Sequence, residues 1–289
     1  MLVTMKEMLR DAKEKHYAIP AFDVSNYEMM RAVLETCEEE RSPALLMALS
    51  VDLADRGMEI FAGMSKAASD CFDVPVCMHY DHATDIELIK KACDLGFSSV
   101  MFDGSVLPFE ENAAKTAEVV RYAHARGISV EAELGHVGNG AIGGLGEAGT
   151  DTDPGESLTV PAEVAKFVEI TDVDALAVAI GTAHGVYQST PTLRIDRLQE
   201  IVAMCDRPLV LHGGSGTPEE QVKDAIQNGI TKINIYHDVV RALNGGLQSK
   251  LNTMENPTTW PIFVFEDAKK AMKEVIRNKI RTFGSNNRI

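Results

Sequence analysis

The sequence predicts an α/β fold, a (β/α)8 TIM barrel with additional C-terminal helices, built as one domain over residues 1–289. Three observations carry this reading. Eight short, apolar, β-rich runs recur along the chain; most are separated by stretches with helical periodicity; and polar residues stand at the C-terminal ends of at least five runs. Strands alternating with helices require parallel pairing through right-handed crossovers, and closing eight of them gives a barrel. An open doubly wound sheet is the alternative, but a barrel gathers those polar ends around one mouth.

In chain order, "MLVTMKEMLRDAKEKHYAIPAF" reads as an amphipathic helix entering the first strand, "YAIPAF". The next runs are "ALLMAL", "VPVCMH", "SSVMF", "ISVEAEL", "ALAVAI", "PLVLH" and "KINIY". Between them, 85–95 "DIELIKKACDL" and 111–126 "ENAAKTAEVVRYAHAR" space apolar residues three and four apart. Gly96, Gly127 and Gly229 follow such periodicity directly, where a left-handed helix end is needed. Pro218 with Glu219 suits a first helical turn. Gly135 to Ser157 is long, irregular and rich in glycine and acid, as expected of a lid or binding loop. Beyond the last strand, "HDVVRALNGGLQSKLN" and "EDAKKAMKEVIRNKIRTFGS" predict further helices, which either pack on a second subunit or, for the final one, cover the barrel bottom.

Asp+Glu 43 against Lys+Arg 28 gives a formal net charge of -15, which disfavours nucleic acid and anionic membranes as partners. Cys37, Cys71, Cys77, Cys93 and Cys205 are odd in number and form no C-x-x-C pair, so reduced, mostly buried thiols are expected. No apolar run approaches the length of a membrane span and the amino terminus does not read as a signal peptide, so the expected location is the cytoplasm.

The chemistry concentrates at three strand ends: "HYDHATD", "ALAVAIGTAHG" and "PLVLHGGSG". They carry His82, His184 and His212, and three neutral imidazoles meeting at one mouth make a site open on one side, as catalytic zinc requires. Asp81 beside them would serve as acid/base, or else orient a metal-bound imidazole. Adjacent strand residues point to opposite faces, so Asp81 and His82 reach the mouth together only where the pleat relaxes. His79 shares the face of Asp81 and reads as a buried partner. Glu133, nearer the mouth than Glu131, is an alternative ligand or proton carrier, and Glu131 is expected to be structural. Gly213, Gly214 and Gly216 let backbone N–H groups point outward and Ser215 adds a hydroxyl, a combination that can cradle a phosphate.

These segments, with "GFSSVMFDGS", "VEAELGHVG", "DALAVAIGTAHGVY" and the terminal "IRTFGS", resemble the class II, metal-dependent ketose-bisphosphate aldolases over almost the entire chain. The resemblance implies zinc on His82, His184 and His212, one catalytic ion with room for a monovalent cation besides, and Asp81 as the acid/base residue. It implies that Gly185, Gly213 and Ser215 hold the phosphate of a dihydroxyacetone phosphate half, and that Asn234 hydrogen-bonds that half. The implied reaction is reversible cleavage of a ketose bisphosphate or ketose 1-phosphate to dihydroxyacetone phosphate and an aldehyde, in a homodimer or homotetramer. His237 stands in the phosphate pocket where the family often has threonine, and Gln188 where it often has lysine. Glu147 is the one candidate for the family's lid glutamate, and the usual arginine for a second phosphate has no counterpart near "NPTTWP". A ketose 1-phosphate ending in a carboxylate or plain polyol therefore rivals a bisphosphate. The other readings are a non-catalytic barrel subunit stabilising a partner aldolase, and a metal-dependent hydrolase.

Overall fold

A computed structural model describes residues 1–139, 158–185, 187 and 189–289. Among the described residues ten strands occur in the order β1 (Ile19–Asp23), β2 (Ala44–Ala48), β3 (Val76–Ala83), β4 (Ser99–Phe102), β5 (Ser129–Leu134), β6 (Gly138–Asn139), β7 (Ala175–Val178), β8 (Ala183–His184), β9 (Leu209–Leu211) and β10 (Ile230–Ile235). Eight of them close into a parallel barrel in the order β1-β10-β9-β7-β5-β4-β3-β2. These are the eight runs read from the sequence. The remaining two, β6 and β8, pair with each other in parallel above the C-terminal ends of β5 and β7.

Among the described residues eleven helices accompany the barrel. In chain order they are α1 (Met5–Glu14), α2 (Tyr27–Glu40), α3 (Gly57–Cys71), α4 (Ile86–Asp94), α5 (Phe109–His124), α6 (Pro161–Thr171), α7 (Ile195–Met204), α8 (Glu219–Gln227), α9 (His237–Thr253), α10 (Pro261–Val264) and α11 (Glu266–Thr282). Gly96, Gly127 and Gly229 all have positive φ, as their places after helices require.

The larger core lies between the strands and the surrounding helices, and a smaller one fills the lower barrel interior. In the smaller core, Met5, Met8, Leu9 and Ala12 of α1 pack against Ile19, Leu45, Cys77, Ala175 and Val210. This corrects the expectation for the final helix: α1 closes the barrel bottom, started by a reciprocal cap between Thr4 and Glu7. Instead, α11 lies against α2 and α9, because its basic face finds acids on α2. Lys273 bonds Glu39 at 2.5 Å, and Arg281 grips Glu40 through two bonds of 2.8 Å. Gly246 of α9 permits the close crossing, since a Cβ there would lie 2.4 Å from Ala268 Cα.

The barrel interior above this plug is charged. Lys232 on β10 and Glu131 on β5 are separated by two strands, yet their side chains meet at 2.8 Å, so the contact crosses the interior. Ala175 and Ala177 of β7 face the same space and leave room for it. All five cysteines are free; Cys37, Cys77 and Cys93 are buried and Cys71 is exposed. Among the described residues no helix is long and apolar enough to cross a membrane.

Candidate active site

His82, His184 and His212 come together at the mouth. Their ring centroids are 4.7 Å (82–184), 4.5 Å (82–212) and 5.8 Å (184–212) apart, and each offers a ligand atom within 4.8 Å of the others. One nitrogen of each ring is buried there: Nε2 of His82, Nε2 of His184 and Nδ1 of His212. The first two have no hydrogen-bond partner and the third faces only the Glu133 carboxylate, whose Oε2 is 3.0 Å away. Burial opposes charge on the His212 ring, but Glu131 and Glu133 outweigh it and push the ring up to about 10. A bound cation would satisfy all of these groups, so the donor set fits a metal ion.

The outer nitrogens of two rings are fixed by carboxylates. His82 Nδ1 lies 2.8 Å from Asp103 Oδ2, and His212 Nε2 lies 2.9 Å from Glu131 Oε1. Donation to these acceptors puts the proton on the outer nitrogen and leaves the inner one as a lone-pair donor. Burial, reinforced by His82 and His212, holds His184 well below the ordinary imidazole range, so it stays neutral. His184 stands six residues beyond the end of β7, held at the mouth because β8 pairs with β6 and Gly213 lets the backbone of Ala183 approach. Glu133 Oε1 accepts from Val137 N at 2.8 Å, and its Oε2, buried and unpartnered, lies 3.0 Å from His212 Nδ1. That oxygen is placed to be a further ligand.

Asp81 and His82 both reach the mouth, for a local reason. Tyr80 pairs with Val100 and Ala83 with Phe102, so β3 carries one more residue than β4 across this step, a β-bulge. His82 takes a left-handed φ of 47°, which relaxes the pleat between it and Asp81. A non-glycine residue there stores about 1 kcal/mol or more of backbone strain, a pattern found at functional sites. Asn234 Nδ2 donates to both Asp81 oxygens, at 3.1 and 3.3 Å. Burial opposes ionisation of Asp81, but His82, His79, Lys232 and His212 outweigh it and hold its carboxyl well below the usual range. It is therefore an available base, and orienting His82 falls to Asp103.

The glycine loops after β8 and β9, with the first turns of α9, line an adjoining cavity of about 750 Å³ that includes Gly185, Ser215, Gly216, His237 and Arg241. One expectation for this loop is corrected. The Gly214 N–H is used internally by Asn234 O at 3.2 Å, and that of Gly216 turns toward Asp238 Oδ2 at 3.3 Å, so neither points outward. Gly213 keeps the left-handed φ of 67° that the turn requires. Ser215 Oγ accepts from Tyr236 N and Asp238 N, tying the loop to the start of α9. Burial lowers the His237 ring, which is thus neutral, and Tyr187 OH clamps the loop through Gly213 O at 2.7 Å. Glu147 and Gln188 lie outside the described residues.

Sequence reasoning passed over three residues. Asp103 stands in "GFSSVMFDGS", one residue beyond the fourth strand and so at the barrel mouth. Lys232 shares the parity of Asn234 in "KINIY", which placed it inside the barrel. Asp23, at the end of β1, is buried with Oδ1 unpartnered, and burial together with Asp81 raises its carboxyl well above the usual range.

Comparison with known proteins bears on this geometry. Residues 3–288 match the family described as fructose-bisphosphate aldolase class-II. The crystal structure of the YdjI aldolase from Escherichia coli K12 is similar at 35% identity and a TM-score of 0.86, covering 99% of both chains. A structure solved as a candidate fructose-1,6-biphosphate aldolase from Coccidioides immitis shares 31% identity, TM-score 0.84, over 98% of this chain and 96% of that one. Fructose-bisphosphate aldolase from Campylobacter jejuni, at 22% identity, shares the fold with a TM-score of 0.82 over 100% of this chain and 97% of that one.

Proposed function

Since the chain belongs to the class II fructose-bisphosphate aldolase family, we propose that it cleaves a phosphorylated ketose reversibly to dihydroxyacetone phosphate and an aldehyde. The observation that carries this reading is the convergence of three imidazoles, with Glu133 beside them, next to the ionised carboxylate of Asp81. Zinc held by His82, His184 and His212, with Glu133 as an alternative ligand, would supply Lewis-acid polarisation of the substrate carbonyl.

The chain's own groups then have defined work. Asp81 accepts the proton of the C4 hydroxyl as the C3–C4 bond breaks, and Asn234 holds its two oxygens in place for that transfer. Asp103 and Glu131 keep the ligand rings in the required tautomer. Gly185, Gly213, Ser215 and His237 border the cavity or its loop, where the substrate phosphate would sit. A neutral His237 donates a hydrogen bond to phosphate without adding charge, which suits recognition of a single phosphate at that end. In this reading the enzyme is cytoplasmic and a homodimer or homotetramer; exposed Trp260, Ile262 and Phe263 support the association.

The test combines metal analysis with a coupled assay for dihydroxyacetone phosphate across a panel of ketose 1-phosphates and bisphosphates. Stoichiometric zinc and release from at least one substrate are expected. A barrel that binds no metal and releases nothing would be a scaffold, and release of inorganic phosphate instead would make it a hydrolase.

A further inference from the structure

Lys232 is fully buried in the middle of the barrel. Its Nζ lies 2.8 Å from Glu131 Oε2, and the other oxygen of Glu131 lies 2.9 Å from His212 Nε2. A buried ion pair of this kind adds little stability compared with apolar residues of the same volume, so packing is a poor reason for it. The neighbours suggest another. His79 Nε2 is also buried, 3.4 Å from Asp81 Oδ1 and 3.9 Å from Glu131 Oε2, so a Glu131 released from Lys232 has a second place to turn, in competition with Asp81. Turning there would take the acceptor away from His212 and free that ring to rotate or to move its proton onto Nδ1.

We propose that Lys232 is a positioning residue: by holding one oxygen of Glu131 it fixes the other on His212 Nε2, and so keeps His212 Nδ1 aimed at the metal position. The lysine also balances the charge of Glu131, so that His212 receives orientation from a neutral pair. This inference rests on the metal-centre reading given above.

The test uses the full chain, stripped of metal and titrated with zinc against a chelator, in the wild type, Lys232→Met and the double variant Lys232→Met/Glu131→Gln. Lys232→Met should lower zinc affinity about 10- to 100-fold, the usual effect of losing a partner behind a ligand. The double variant leaves no lone buried charge, so its metal-free melting temperature should recover to the wild-type value while its zinc affinity stays at least about tenfold low. Its cobalt-substituted form should also show a shifted visible absorption. Zinc affinity within threefold of wild type in either variant, with an unchanged cobalt spectrum, would overturn the proposal. Should neither variant fold, nitrogen-15 histidine spectra of the zinc-loaded wild type decide: a proton on His212 Nε2 supports it, and metal on Nε2 overturns it. Absence of zinc binding by the wild type would instead remove the metal-centre reading itself.

Discussion

Replacing Asp103 with asparagine exchanges one oxygen for an NH2 group at almost no change in volume, yet it should weaken metal binding strongly. In the native protein Asp103 Oδ2 takes the Nδ1 proton of His82 at 2.8 Å, while Oδ1 accepts from Ser105 N at 3.0 Å. Both oxygens are therefore needed as acceptors, and an amide has only one. If the Asn carbonyl stays on Ser105 N, its NH2 faces His82 Nδ1 and drives the ring proton onto Nε2, the nitrogen that would bind metal in the proposed function. If it turns over, a donor meets the Ser105 N–H and that hydrogen bond is lost. The left-handed backbone of His82, φ 47°, makes this outer anchor more important. A partner of this kind is worth about 10- to 100-fold in metal affinity, or about 1.4–2.7 kcal/mol. Chelator competition with zinc on purified Asp103→Asn measures it, and an affinity within threefold of wild type would refute the tautomer argument.

Other expectations follow from the same geometry. Asp81→Ala should retain zinc and lose at least about 100-fold in cleavage rate, as removal of a proton-transfer group does; unchanged turnover in the coupled assay takes Asp81 out of the mechanism. Gly213→Ala and Gly127→Ala share nearly the same left-handed φ, 67° and 70°, but only the first puts a Cβ 2.4 Å from Ala183 O, beside His184. Gly127→Ala should cost about 1 kcal/mol of stability, whereas Gly213→Ala should lower the melting temperature further and also weaken zinc binding; equal effects on both measurements would count against the role of the loop contact. Between α2 and α11, burial pushes Glu35 up, but hydrogen bonds from Lys269, Arg31 and Lys273 outweigh it, and Glu39 and Glu40 are likewise held low by Lys273, Arg277 and Arg281. Their stabilisation is present above the ordinary glutamate range and lost as pH falls through the lowered folded values, so melting temperature should drop on acidification, and less so in Lys273→Met; parallel pH profiles would contradict this.

The barrel was legible because its signals are local. Strand runs such as "ALLMAL" and "ALAVAI" are buried on both faces and hence continuously apolar, and Gly96, Gly127 and Gly229 mark helix ends through their backbone alone. His82, His184 and His212 were legible as a set only because the barrel fold brings strand ends together. What stayed hidden depends on distance along the chain. Glu131 and Lys232 are 101 residues apart, and neither segment announces the other. The basic face of α11 could equally have served the barrel bottom until acids on α2 are seen opposite it. Likewise, the bulge that turns Asp81 and His82 to one side arises from pairing with β4, which no reading of "HYDHATD" alone contains.

The plug formed by α1 makes the barrel a cup with one rim. If the proposed cleavage takes place there, its two products must queue for the same exit. The fragment gripped by the loops around Gly213 and Ser215 would leave last, so inhibition patterns by the two products should differ, with the tethered fragment alone competing directly with the sugar.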